Sequence, residues 1–156
     1  MEPSEYTLLA DLMNKTKKKI FVICPVRSVT EETSDKIAAY IARLRTEGHE
    51  VYWPYLDNLH QDTDKVGITI CEYNRKRMLM ADEIHIWYDK NSTGSIFDIG
   101  MFFAFVHVGD FKKFVIINRE DVMPTPNKSF ENVILALEKE YDNPVANGLK
   151  EKWEKK

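Results

Sequence analysis

Short runs of apolar and β-branched residues alternate with longer segments of helical periodicity along this 156-residue chain. Runs that are apolar at nearly every position are typical of strands buried on both faces of a parallel sheet. The predicted strands are Lys19–Cys24, Glu50–Trp53, Glu83–Tyr88 and Lys113–Ile117. The predicted helices are Asp35–Thr46, Asp62–Ala81, Ile96–Val106 and Ser129–Glu140. This alternation predicts an α/β fold: a doubly wound (Rossmann-like or flavodoxin-like) parallel sheet with helices on both faces.

We expect a single domain over residues 1–156, because the length suits one domain and no repeat, low-complexity segment or linker divides the sequence. The core is predicted to span about residues 19–141, followed by a polar C-terminal tail at residues 142–156.

The charge balance argues against two classes of partner. A net charge of −3, from 25 acidic and 22 basic residues, gives no basic field for a nucleic-acid polymer or a membrane surface. No apolar run approaches the roughly 18 residues of a membrane-spanning helix. Cys24 and Cys71 lack metal-ligand spacing and are predicted to be buried, reduced thiols, and the four histidines are scattered without metal spacing. These features predict a cytoplasmic protein without a metal site.

Ligands of open parallel sheets bind beyond the carboxyl ends of the strands, near the point where the strand order reverses. Three loops compete for that position, Cys24–Ser34, Pro54–Lys65 and Asp89–Gly94. A fourth, Asn118–Lys128, could fold over the same edge or reach a partner subunit. Arg27 directly follows a predicted strand, where it could clamp a phosphate or carboxylate, or simply face solvent.

The stretch NSTGS, residues 91–95, precedes a predicted helix. The hydroxyls of Ser92 and Ser95, with Gly94 between them, could cradle an anion at a helix N-terminus, although the spacing matches no standard phosphate loop. Ser95 is equally a good N-cap, with Asp98 three residues on as its capping partner. Taken alone, the stretch favours capping, so Asp98 is either a catalytic acid or a helix-starting one.

Three stretches in this order resemble the nucleoside 2-deoxyribosyltransferase-like family, which includes the 2′-deoxynucleoside 5′-phosphate N-hydrolases. They are FVICPVR at residues 21–27, NRKRMLMADEIHIW at residues 74–87 and NSTGSIFDIGMFFAF at residues 91–105. The resemblance covers roughly Ile20 to Ile117. It implies cleavage of the N-glycosidic bond of a (deoxy)nucleoside or its 5′-monophosphate, by hydrolysis or base exchange, and no metal or organic cofactor.

The resemblance also implies roles for individual residues. Asp98 stands where the family has its nucleophilic Glu, and Asn74 where the family has an Asp used in sugar binding or proton handling. Ser92 stands six residues before Asp98, where the transferases have Asp and the phosphate-recognising hydrolases have Ser. Arg27 matches the arginine that serves the phosphate in the hydrolase branch.

The remaining expectations concern ligands and assembly. Phosphate contacts are expected from Arg27, Ser92 and Ser95, and Gly94 is expected to be a further substrate-binding residue. The family implies a homodimer or higher homo-oligomer in which a neighbour's loop, here residues 118–127, completes the site. Two alternatives stay open, because Asp and Asn replace the family's Glu and Asp. One is a non-catalytic nucleotide-binding or sensing protein in which Asp98 hydrogen-bonds a ribose, and the other is an interaction domain of similar architecture.

Overall fold

The computed structural model describes residues 4–5, 7–9, 17–107 and 112–142. Its strands are β1 Lys19–Ile23, β2 Glu50–Tyr52, β3 Glu83–Ile86 and β4 Lys113–Ile116. Its α-helices are α1 Glu31–Thr46, α2 Pro54–Asp57, α3 Ile68–Met80, α4 Thr93–His107 and α5 Phe130–Asp142, and a 3-10 helix spans Arg119–Asp121. The four strands form one parallel sheet in the order β2-β1-β3-β4. Except for Asp142, the predicted polar tail lies outside the described residues.

Both faces of the sheet are covered, because alternate residues of β1 point to opposite sides. Phe21 and Ile23 pack with residues of α3, α4 and α5, and Ile20 and Val22 pack with the apolar side of α1. The predicted doubly wound α/β fold is therefore confirmed. The strand order reverses between β1 and β3, which places the switch point beyond the carboxyl end of β1.

Helix α1 begins four residues before its predicted start at Asp35. The hydroxyl of Thr30 accepts a hydrogen bond from the backbone N–H of Thr33 at 3.1 Å, and Glu31 and Glu32 lie in the positive first turn. These capping residues carry no apolar periodicity, so the hydrophobic pattern missed them.

The predicted helix Asp62–Ala81 is wrong in its first turns, because α3 begins only at Ile68. The Asp64 carboxylate accepts hydrogen bonds from the backbone N–H groups of Val66, Gly67 and Ile70 at 3.0, 2.9 and 3.0 Å. Gly67 has φ 96°, a left-handed conformation that a continuing helix cannot contain. The segment before α3 is therefore a capped loop, and it lies at the carboxyl edge of the sheet.

Beyond the carboxyl ends of β3 and β4, hydrogen bonds from a side chain replace the backbone pairing between the two strands. The prediction that β3 reaches Tyr88 is wrong, since the strand ends at Ile86. Asn118 is buried, and its side chain accepts from the N–H of Tyr88 and donates to the C=O of Tyr88, both at 2.8 Å. This amide satisfies the backbone where the strands diverge.

Candidate active site

Asp98 lies in the second turn of α4 and caps nothing. The helix begins at Thr93, and its first turn contains no acidic residue. Ser92 is the N-cap, because its C=O accepts from Ile96 N–H at 3.1 Å and its hydroxyl accepts from Ser95 N–H at 3.3 Å. The alternative in which Ser95 starts the helix with Asp98 as capping partner is therefore wrong.

The Ser92–Ser95 turn has a buried side and an open side. Ser95 is only 1% exposed, and its hydroxyl accepts a hydrogen bond from the Ser92 hydroxyl at 2.8 Å. Gly94 is exposed, and a Cβ atom placed there would meet nothing within 4 Å. A ligand can thus approach the backbone at Gly94 and the hydroxyl of Ser92, while Ser95 supports Ser92 from beneath.

The Asp98 carboxyl group is half-buried and makes no hydrogen bond or ion pair with the described residues. Burial raises the pKa of Asp98 to about 7, because a carboxylate loses hydration without a compensating donor. An ionisable group with neither a capping nor a pairing role, and with a pKa near neutrality, has the properties of a functional residue.

Three weak acids from three different elements lie within the electrostatic reach of Asp98. Burial raises the pKa of the Cys24 thiol to about 12, with the Asp98 charge adding to the effect and the hydrogen bond from Trp53 opposing it. Burial and then Asp98 also raise the pKa of Cys71, on α3. Burial raises the pKa of Tyr52 as well, and Asp98 is among the charges that add to that shift. The charge of Asp98 is therefore felt by groups just past β1, at the end of β2 and in the first turn of α3.

Asn74 lies in the second turn of α3, as Asp98 does in α4, and the two helices pack together. Asn74 is 6% exposed, and its Oδ1 accepts a hydrogen bond from Asn58 Nδ2 at 2.9 Å. Asn58 is itself 4% exposed. Because both amides are buried, this hydrogen bond holds the Asn74 side chain in a fixed orientation.

Arg27 lies in the loop after β1, where it is exposed and makes no hydrogen bond or ion pair with the described residues. The next residue, Ser28, has φ 58°, a left-handed conformation that is costly for a non-glycine residue. Arg27 is therefore an exposed cation in the loop that follows the carboxyl end of β1.

Two clefts in the described part of the chain are lined by none of Asp98, Asn74 and Arg27. A cleft of about 260 Å³ lies between β2 and α3, with Tyr52 and Arg77 in its wall. A cleft of about 470 Å³ lies at the carboxyl edge beyond β3 and β4. Within the described ranges no group of three or more His, Cys, Asp or Glu could hold a metal ion. No helix in the same part of the chain is long and apolar enough to cross a membrane.

Sequence reasoning missed several residues around Asp98. Asn58 lies in a loop without periodicity, and no local signal links it to Asn74 across 16 residues. Cys24 was predicted to be a buried thiol, which is confirmed, but its neighbour Trp53, which donates to its sulfur at 3.1 Å, was not anticipated. Cys71 was also predicted to be buried, and that prediction is wrong, since Cys71 is only half-buried.

Comparison with known proteins bears on the fold. The structure is similar to that of a 2-deoxyribosyltransferase from the psychrotolerant bacterium Bacillus psychrosaccharolyticus, with a TM-score of 0.51 and 17% sequence identity, covering 76% of this chain and 95% of that chain. No protein-family model and no curated protein matches the sequence. At this identity the likeness concerns architecture, and this chain has the α/β fold of a 2-deoxyribosyltransferase.

Proposed function

We propose that the protein cleaves the N-glycosidic bond of a nucleoside or nucleoside 5′-monophosphate, by hydrolysis or base exchange, with Asp98 as the nucleophile. The observation that carries this proposal is the state of Asp98: a half-buried carboxyl group that caps no helix, pairs with no described residue and faces the carboxyl edge of the sheet. Ligands of such folds bind at this edge. The transferase-like fold adds support by architecture.

The proposed chemistry follows from the position of one carboxylate. An ionised Asp98 on one face of the sugar stabilises the positive charge that develops at C1′ as the base departs, and it can form an ester with C1′. Water or a second base then attacks C1′ and releases the carboxylate. Both steps invert C1′, so the overall reaction retains its configuration.

The proposed phosphate contacts lie on two loops at the same edge. Arg27 supplies the charge, and the backbone N–H at Gly94 donates a hydrogen bond at the N-terminus of α4, where the helix dipole favours an anion. The Ser92 hydroxyl donates to the phosphate once it turns away from Ser95. Ser95 is assigned a supporting role, since its side chain is buried against Ser92. Asn74 would contact the sugar or base through its amide. The free thiols of Cys24 and Cys71 agree with a reducing cytoplasm.

The proposal extends to self-association. The exposed side of α4 carries Phe97, Gly100, Phe103 and Ala104, and Asp98 is the one charged residue between Thr93 and Val106. Phe97 is 57% and Phe103 43% exposed. An apolar helix face of this kind is suited to a second copy of the chain, which could also bring residues 118–127 to the neighbouring site.

The test is release of free base, followed by chromatography, from a panel of ribo- and deoxyribonucleosides and their 5′-monophosphates. We expect turnover that falls by at least about a thousandfold in Asp98→Ala. Asp62→Ala, which removes an exposed carboxyl group, is the matched control and should retain activity. Acid-quenched protein should carry the mass of one sugar. Tight nucleotide binding without turnover would contradict the enzyme and favour the sensing protein, and neither binding nor turnover would favour the interaction domain.

A further inference from the structure

The cleft of about 470 Å³ has no part in the proposed reaction, because neither Asp98 nor Arg27 lines it. It lies beyond the carboxyl ends of β3 and β4, the edge at which open parallel sheets bind ligands. Its volume falls within the range of sites that hold small molecules, about 300 to 1,000 Å³. Its wall is formed by the segments that follow β3 and β4 and by residues near the starts of α1 and α5.

One side of this cleft is built around the buried amide of Asn118, which is 1% exposed. Asn118 holds the backbone of Tyr88 through two hydrogen bonds of 2.8 Å, and its Nδ2 also donates to Asp121 Oδ2 at 3.3 Å. Both of its N–H groups are therefore used within the protein. Asn118 fixes the segment after β3 against the 3-10 helix after β4 and leaves no donor of its own for a ligand.

Tyr88 lines the cleft although it is only 8% exposed. Its hydroxyl makes no close hydrogen bond with the described residues. Burial raises the pKa of Tyr88 to about 12, with Glu131 adding to the shift through its charge and as a weak acceptor, and Asp89 adding its charge. Two carboxylates from different segments therefore lie near this hydroxyl, and its oxygen is available to a ligand.

The charged groups of the wall are mainly acidic. Asp89, Asp121 and Glu131 are its carboxylates, and the exposed Lys90 is its one basic residue. None of these four side chains forms an ion pair with a described residue. No three acidic, histidine or cysteine side chains in the described ranges are close enough together to hold a metal ion. The negative charge is thus spread along the wall, which suits a ligand with separated positive groups.

The wall also includes apolar surface. The indole of Trp87 is half-buried, and Met123 is 65% exposed. An aromatic face attracts cations and packs against methylene groups, and a methionine side chain adapts its shape to such groups. The cleft therefore offers carboxylate and hydroxyl acceptors together with apolar contacts.

We propose that this cleft binds an aliphatic diamine or polyamine. The ammonium groups pair with the carboxylates of the wall, and the methylene chain packs against Trp87 and Met123. This site is separate from the one proposed for glycosidic cleavage, and the inference does not rest on that function. Residues 87–91 lead directly to Ser92, so the bound cation lies against the segment that starts α4.

The test is isothermal titration calorimetry of the full chain with 1,4-diaminobutane and spermidine at constant ionic strength. Butylamine and 1,4-butanediol are the matched probes, with one charge and no charge. We expect 1,4-diaminobutane to bind about fivefold more tightly than butylamine, because it forms a second ion pair, and butanediol not to bind. Equal affinities for 1,4-diaminobutane and either matched probe would overturn the inference. Failure of both polycations to bind would also overturn it, including a case in which a lysine-rich peptide binds instead.

Charge variants locate the site. Asp121→Asn and Glu131→Gln preserve the shapes of the side chains and should each weaken binding of 1,4-diaminobutane by about three- to fivefold. Lys90→Gln removes the basic residue of the wall and should strengthen binding by about twofold. Glu120→Gln is the matched control, because Glu120 precedes Asp121 in the same 3-10 helix but does not line the cleft. A loss in Glu120→Gln as large as that in Asp121→Asn would indicate a general surface charge and overturn the inference.

Trp87 supplies a local signal for the same site. Binding of 1,4-diaminobutane should change the indole fluorescence of the wild type. In Trp87→Phe this change should disappear while the heat of binding remains, since phenylalanine keeps an aromatic face. A fluorescence change in Trp87→Phe equal to that of the wild type would place the diamine elsewhere and overturn the inference.

Discussion

An aspartate with a pKa of about 7 in the folded chain and about 3.9 in an unfolded one makes stability depend on pH. Between these values the folded state keeps a proton at Asp98 that the unfolded state has released. The free energy of unfolding therefore falls as the pH rises through this window and stays low above about pH 7. The ionised form of Asp98 therefore destabilises the folded state at the pH at which it would act as a nucleophile.

The isosteric variant Asp98→Asn removes the carboxyl group and with it this destabilisation. We expect its free energy of unfolding to equal that of the wild type at about pH 4, and to exceed it by about 2 to 4 kcal/mol above about pH 8. The measurement is urea unfolding across that range. Asp62→Asn controls for the change in net charge. If the stability difference between Asp98→Asn and wild type is the same at every pH, the carboxyl group is not buried as described.

At the scale of elements, the start of α4 combines a structural and a proposed ligand-binding role in one side chain. The Ser92 hydroxyl accepts the Ser95 N–H and donates to the Ser95 hydroxyl, so it holds the first turn in place. The same hydroxyl lies beside the open backbone at Gly94. Substitutions at Ser92 can separate these roles, because Asp is also a good N-cap but is negatively charged.

We expect Ser92→Ala to lower the free energy of unfolding by about 1 kcal/mol, whereas Ser92→Asp should stay within about 0.5 kcal/mol of wild type. If a 5′-phosphate binds at this turn, Ser92→Asp should raise KM for monophosphates relative to unphosphorylated nucleosides by about tenfold, through like-charge repulsion. Urea titrations and paired KM measurements check both expectations. An Asp variant as unstable as the Ala variant would mean that Ser92 is not the N-cap.

At the scale of the whole molecule, α4 presents an apolar outer side. Phe97 and Phe103 are 57% and 43% exposed, and Asp98 is the one charged residue between Thr93 and Val106. A small monomer rarely leaves such a surface in water.

We expect sedimentation equilibrium to give a mass of at least twice the 18.3 kDa of one chain. Phe97→Glu should shift the protein toward the monomer, because a carboxylate would be buried without a partner. Phe130→Glu, which alters a similarly exposed phenylalanine at the start of α5, should not. A wild-type monomer at all concentrations would contradict self-association.

The strands and the α/β class were predictable because buried parallel strands must be apolar at nearly every position, which a short stretch of sequence displays directly. The first residues of the helices were less predictable from the sequence. Thr30, Asp64 and Ser92 set the starts of α1, α3 and α4 through hydrogen bonds to the backbone, and polar residues of this kind are common in loops that start no helix. The spacing of the apolar residues does not indicate which of these polar residues caps a helix.

The site was predictable only in outline. Resemblance picked out Asp98 and Asn74, but the state of each depends on contacts made by distant segments. The burial of Asp98 follows from the packing of α4, and the orientation of Asn74 follows from Asn58, which no pattern connects to it. Such facts arise from tertiary structure and have no local sequence signature.

The Asn58–Asn74 contact has an evolutionary consequence. A single base change in a codon converts Asn to Asp, and another converts Asp to Glu, so residues 74 and 98 are each one mutation from the acidic pair of the family that the sequence resembles. Asn58 donates the hydrogen bond, and an Asp at position 74 could accept it as well as Asn does. The hydrogen bond therefore tolerates either residue at this position, and a carboxyl group could appear on α3 without disturbing the contact that holds this helix to the loop before it.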